Sequence, residues 1–113
     1  MAGKLTTHAL DTEAGRGASG LRVALFAVGE VSTPLGEIAL DERGRGVLTE
    51  ALAPGVYESV FHAADYHRAQ GATLSDPPFL DRIAIRIGVA DADGDYHLPL
   101  LLTRYSYSTY RGG

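Results

Sequence analysis

The chain has 113 residues, no cysteine, and ten Lys and Arg against fourteen Asp and Glu, a net charge of −4. A chain of this length buries roughly two-thirds of its unfolded surface, so one core forms without staples, and the missing thiols exclude disulfide frameworks, thiolate zinc sites and cysteine nucleophiles. The acidic balance leaves no basic stripe for nucleic acid, and no apolar run approaches the roughly 18 residues of a membrane helix.

The N-terminus lacks the apolar stretch of a secretory signal, and the absence of cysteine fits a reducing compartment. The expectation is a soluble, cytoplasmic protein. No linker, internal repeat or low-complexity tract divides the sequence, which reads as a single domain over 1–113. Apolar stretches are short, and turn residues separate them at about 8–12-residue spacing, the pattern of an all-β sandwich or barrel.

In chain order, 5–10 is a first strand, closed by Asp11 and the Gly15-Arg16-Gly17 turn region. Residues 21–28 form a second, with Leu21, Val23, Leu25 and Ala27 on one face and Phe26 and Val28 on the other, which suits a central strand. Short strands follow at 35–40 and 47–49, separated by the turn Asp41-Glu42-Arg43-Gly44-Arg45-Gly46. A fifth strand covers 56–62. Residues 63–70, rich in Ala and followed by Gly71 at a helix C′ position, predict the single short helix. Residues 82–89 alternate cleanly, with Ile83, Ile85, Ile87 and Val89 on one face. The turn Asp91-Ala92-Asp93-Gly94 leads to strands at 96–103 and 105–110. Eight strands and one helix predict a two-sheet sandwich.

In the seventh strand Leu98, Leu100 and Leu102 point to the core, and His97, Pro99, Leu101 and Thr103 share the opposite face. That face is too apolar to be simply solvated. It is either an ordinary second strand face or a subunit interface lined with His and Tyr, since Tyr105, Tyr107 and Tyr110 follow.

Four histidines can act as bases near neutral pH. His62, at a strand end, and His67, flanked by Arg68, read as surface residues. His8 and His97 lie on semi-apolar strand faces, where a histidine is more often a satisfied structural group than a catalyst. No spacing of HxH or HExxH type supports a metal site, and no GxSxG, GxxxxGK[ST] or GxGxxG motif occurs.

Three segments taken together resemble one family. The end of the chain, Tyr96-His97-Leu98-Pro99-Leu100-Leu101-Leu102 followed by Tyr107-Ser108-Thr109-Tyr110-Arg111-Gly112, is similar to the signature end of the 5-hydroxyisourate hydrolases, the transthyretin-related enzymes. The start, Leu5-Thr6-Thr7-His8-Ala9-Leu10-Asp11-Thr12, resembles the family's N-terminal signature, and Asp41-Glu42-Arg43-Gly44-Arg45 its turn ending in Gly-Arg. The resemblance covers nearly the whole chain in order.

It implies a transthyretin-like eight-stranded antiparallel β-sandwich with one short helix, assembled as a homotetramer of two dimers. It implies hydrolysis of 5-hydroxyisourate to 2-oxo-4-hydroxy-4-carboxy-5-ureidoimidazoline in urate degradation, with no cofactor and no metal. The catalytic residues carried over are His8, Arg45 and His97. Tyr110 and Arg111 join His8 and Arg45 as substrate-binding residues, all at the dimer–dimer interface. Opening a cyclic amide needs an activated water and support for the oxyanion, which two imidazoles and a guanidinium can supply. A non-catalytic carrier on the same fold is the alternative. One residue departs from the family pattern: the tail usually ends Tyr-Arg-Gly-Ser, and here Gly113 stands in place of the serine.

Overall fold

The computed structural model describes residues 2–113. In chain order the elements are β1 (Leu5–Asp11), β2 (Arg16–Gly17), β3 (Arg22–Val28), β4 (Ser32–Ala39), β5 (Arg45–Thr49), β6 (Gly55–Phe61), α1 (Ala63–Ala69), β7 (Ile83–Val89), β8 (Tyr96–Leu102) and β9 (Tyr107–Thr109). Two sheets face each other. The first runs β2-β1-β8-β9, with β5 also paired to β1; the second runs β4-β3-β6-β7.

Period-two alternation builds the core between them. From β1 and β8 the inward side chains are Leu5, Ala9, Leu98, Leu100 and Leu102; from the second sheet Val23, Leu25, Phe61, Ile83 and Ile85 meet them. Two inward polar groups on β1 are satisfied in place, which removes the penalty of burying them. Thr7 Oγ1 donates to the Leu98 carbonyl at 2.7 Å. The Asp11 carboxylate accepts from the backbone N–H groups of Glu13 and Ala14 and, at 2.8 Å, from the Tyr66 hydroxyl. That last bond ties α1 to the end of β1, and burial together with the Asp11 contact pushes the Tyr66 phenol up to about 12.

The turn between β4 and β5 carries the chain from one sheet to the other. Asp41 accepts from the backbone N–H groups of Arg43 and Arg45, each at 2.9 Å, and these bonds hold its carboxyl below the usual carboxylate range. Gly44 has φ +76°, and a Cβ there would run into the Ala9 carbonyl oxygen. Only glycine meets both demands at that point, so the turn closes against β1 and delivers Arg45 beside it.

The sandwich has the predicted class, with differences in detail. β1 and β8 pair in parallel, Leu5 opposite Tyr96 through Asp11 opposite Leu102, so the expected all-antiparallel pairing does not hold there. Their pairing joins the two ends of the chain, and no hairpin turn announces it. A two-residue β2 adds a ninth strand. The last strand is shorter than 105–110, at Tyr107–Thr109, and β4 starts earlier than 35–40. Arg45, expected in the turn, opens a strand.

Two histidines differ from the surface reading. His67 is 4% exposed, on the inner side of α1 with Ala63, Ala64 and Tyr66, and its Nε2 has no partner among the described residues. His62 is largely covered, within 4 Å of the carboxylates of Glu37 and Asp65.

Candidate active site

The outward residues of the first sheet follow from the same alternation. Thr6 and His8 point outward on β1, His97 and Leu101 on β8, and Arg45 and Val47 on β5. Register then sets the neighbours. His8 lies opposite Arg45 in the β1–β5 pair, and Thr6 lies opposite His97 in the β1–β8 pair. Three catalytic candidates from three distant segments therefore meet on one surface.

Each is held differently. His8 Nε2 lies 3.0 Å from the Arg43 carbonyl oxygen. A carbonyl only accepts, so Nε2 carries the proton, and the neutral ring has its lone pair on Nδ1. His97 Nδ1 lies 2.8 Å from Thr6 Oγ1. Partial burial, reinforced by the positive charges of His8 and Arg45, lowers the His97 pKa below 6.5. Arg45 is anchored through its backbone by Asp41. Its guanidinium has no ion-pair partner among the described residues, unlike those of Arg22, Arg68, Arg86 and Arg104.

The C-terminal tail closes on the other side of His97. Gly112 N–H donates to the His97 carbonyl at 2.9 Å, forming an antiparallel bridge. The Arg111 guanidinium lies 4.2 Å over the Tyr96 ring, a cation–π contact that pins the tail to the sheet. Tyr110 is exposed. His97 thus borders two clefts. One, of about 520 Å³, is lined by Lys4, Thr6, Asp41, Arg45 and Val47. The other, of about 450 Å³, is lined by Ile87, Tyr96, Thr109, Tyr110 and Arg111. The structure brings His8, Arg45 and His97 together and sets Tyr110 and Arg111 around the second cleft, with the Arg111 charge turned onto Tyr96.

Three further residues bear on the site. Thr6 touches His97, Asp41 shapes the approach of Arg45, and Lys4 lines the first cleft. Thr6 and Asp41 stand inside the recognised motifs. The parallel register and the Asp41 turn are what reveal their contacts. Among the described residues no group of three or more His, Cys, Asp or Glu side chains is placed to hold a metal ion.

A β-sandwich whose outer face gathers two imidazoles and an unpaired guanidinium has the parts of a hydrolytic site without a nucleophilic side chain. Residues 5–112 match the sequence profile described as HIUase/Transthyretin family, and the chain belongs to that family. A curated relative, 5-hydroxyisourate hydrolase 2 of Rhizobium meliloti, is 49% identical, the match covering 97% of this chain and 96% of that protein. The crystal structure of an (S)-allantoin synthase superposes with a TM-score of 0.90 at 36% identity, over 99% of this chain and 44% of that one. The 5-hydroxyisourate hydrolase of Klebsiella pneumoniae superposes with a TM-score of 0.83 at 26% identity, over 98% and 99% of the two chains.

Proposed function

We propose that this protein hydrolyses 5-hydroxyisourate to 2-oxo-4-hydroxy-4-carboxy-5-ureidoimidazoline in urate degradation. The convergence of His8, Arg45 and His97 through the β1–β5 and β1–β8 registers carries the reading, and near-full-length similarity to 5-hydroxyisourate hydrolases supports it. The same constellation favours a catalyst over a passive carrier, which has no use for two imidazoles and a free cation on one face.

In this reading water attacks a ring carbonyl carbon of the cyclic ureide. One imidazole takes the proton from water, and the Arg45 guanidinium supports the oxyanion through its planar donor fork. The ring C–N bond then breaks, and the proton taken from water passes through the imidazole pair to the departing nitrogen. Tyr110 and Arg111 frame the substrate from the tail side. The active form is a homotetramer with this face at the dimer–dimer interface. The free edges of β7 and β9, the exposed Val47 and the exposed Tyr105, Tyr107 and Tyr110 support burial against another copy. The whole chain acts as a single domain; residue 1 lies outside the described residues. No helix of the described residues is long and apolar enough to cross a membrane, and a cytoplasmic location belongs to the proposal.

The test is spectrophotometric. Urate oxidase generates 5-hydroxyisourate, and its decay is followed with and without this protein. Accelerated decay is expected; decay at the spontaneous rate at micromolar protein overturns the assignment. Light scattering on the same sample is expected to report a tetramer, and a fully active monomer removes the interface from the site.

A further inference from the structure

The use of an imidazole as base or acid depends on which ring nitrogen bears the proton, and the partner of the other nitrogen decides that. At His97 two elements fix the ring. On one side Thr6 Oγ1 lies 2.8 Å from Nδ1. On the other, the tail packs closely against the ring: a Cβ at Gly112 would lie 2.6 Å from Cδ2 and 3.1 Å from Cγ. The residue at 112 therefore has to be glycine for the ring to keep this place, and the hydroxyl of Thr6 is left to choose the tautomer.

A threonine hydroxyl has one proton to give and two lone pairs to receive with. The oxygen of Thr6 faces two groups, His97 Nδ1 at 2.8 Å and the Tyr96 carbonyl at 3.5 Å. The carbonyl can only accept, so both contacts serve as hydrogen bonds only when the hydroxyl proton points to it. The shorter contact is then a bond from Nδ1–H to the Thr6 oxygen.

We propose that Thr6 is a positioning residue that holds His97 as the Nδ1–H tautomer, so that Nε2 is the nitrogen with the free lone pair in the site. Thr6 acts through His97 and needs no contact with substrate. The arrangement complements that of His8, whose Nε2 proton is committed to the Arg43 carbonyl. The two rings then offer opposite nitrogens, Nδ1 of His8 and Nε2 of His97. The inference rests on the hydrolase reading for its kinetic consequence, but the tautomer is measurable without any turnover.

The experiment pairs Thr6→Val, which keeps the branched shape and removes the hydroxyl, with Thr6→Ser, which keeps the hydroxyl. The first readout is the ring ¹⁵N shifts of His97, assigned by their loss in His97→Asn. The wild type is expected to show a protonated Nδ1 and an unprotonated Nε2 above pH 7, and Thr6→Val a mixture of tautomers. The second readout is kinetic. Thr6→Val is expected to lower kcat by about tenfold or more, equivalent to about 1.4 kcal/mol of barrier, with KM within about twofold, and Thr6→Ser is expected to restore most of the loss. A wild-type His97 protonated on Nε2 overturns the proposal, as does a folded Thr6→Val protein with unchanged ring shifts and unchanged kcat. Should Thr6→Val not fold, the wild-type and Thr6→Ser shifts decide the tautomer alone. A wild type with the expected tautomer and no turnover overturns the hydrolase reading and leaves the tautomer assignment standing.

Discussion

The outer faces of the two sheets are built by the same alternation yet arrange their charges differently. On the second sheet charges are matched across strands: Arg22 with Glu37 at 2.9 Å, and Arg86 with Glu58 at 3.0 Å. Exposed pairs of this kind add little stability but leave those two guanidiniums matched, beside the exposed Leu35 and Val56. On the first sheet Arg45 is unpaired, and two histidines stand near it among Val47 and Leu101. Both faces expose aliphatic side chains, so the unmatched cation and the two imidazoles are what set the first one apart. The comparison separates a face whose charges are matched from the one that we propose binds another molecule.

Breaking the reactive face should have the largest effect. His97→Asn keeps a polar side chain and removes proton exchange near neutral pH. It is expected to lower kcat by roughly 10²–10⁴, with thermal unfolding and assembly nearly unchanged, because the inward Leu98, Leu100 and Leu102 are untouched. His8→Asn should behave alike, and the double variant should be far less impaired than the product of the singles, since the two serve one proton-transfer sequence. Wild-type turnover by an assembled His97→Asn protein would take His97 out of the mechanism.

Arg45→Lys preserves the charge and discards the fork. Losing a bond to a charged group worth about 1.5–3 kcal/mol predicts a fall in kcat/KM of roughly 10–150-fold. Steady-state kinetics that show no change would mean Arg45 acts only as a remote charge.

The depressed His97 pKa sharpens the comparison through pH. In the folded protein burial and the neighbouring His8 and Arg45 disfavour the imidazolium, so its pKa lies below the ordinary 6.5. As pH falls, the unfolded chain takes up that proton first. The stabilisation is present above about pH 6.5 and is lost progressively as pH drops toward the folded value. Denaturant titrations should therefore show unfolding free energy declining below about pH 6.5, with a shallower decline in His97→Asn. The acid limb of kcat/KM that His97 sets should also fall below 6.5. A limb above that value would contradict the environment described for His97.

Gly113→Ser restores the tail residue usual in the family and should change turnover by less than about tenfold, or about 1.4 kcal/mol. A much larger gain, measured in the same assay, would show that a terminal hydroxyl has a chemical role and that this chain works without it. The smallest effect belongs to the other sheet. Glu37→Gln breaks the pair with Arg22 and is expected to leave both the unfolding midpoint and turnover close to wild type. A catalytic loss there, seen without unfolding, would collapse the distinction between the two faces.

Much of this was legible in the residues themselves. The isoleucine alternation of β7, the doubly apolar β3 and the Ala-rich α1 each state their conformation locally, because strand and helix periods are properties of consecutive residues. The motifs around His8, Arg45 and His97 named the family. Half of the first motif turns out to be architectural: Thr7 caps a buried carbonyl and Asp11 docks the helix. His67 was misread because charged neighbours in sequence say nothing about which side of a short helix faces the sheet; its spacing from Ala63 and Ala64 was the available signal.

What only the tertiary structure decided is who stands next to whom. The parallel pairing of β1 with β8 joins residues about ninety positions apart, and such a contact leaves no trace in local periodicity. It nevertheless places Thr6 against the ring of His97. The Asp41 turn, with Gly44 packed on Ala9, likewise brings Arg45 opposite His8. Residue type carries the capacity for acid–base chemistry. Register across non-local strands determines which nitrogen carries the proton and what it faces, because hydrogen-bond partners are fixed by position in space and not by distance along the chain.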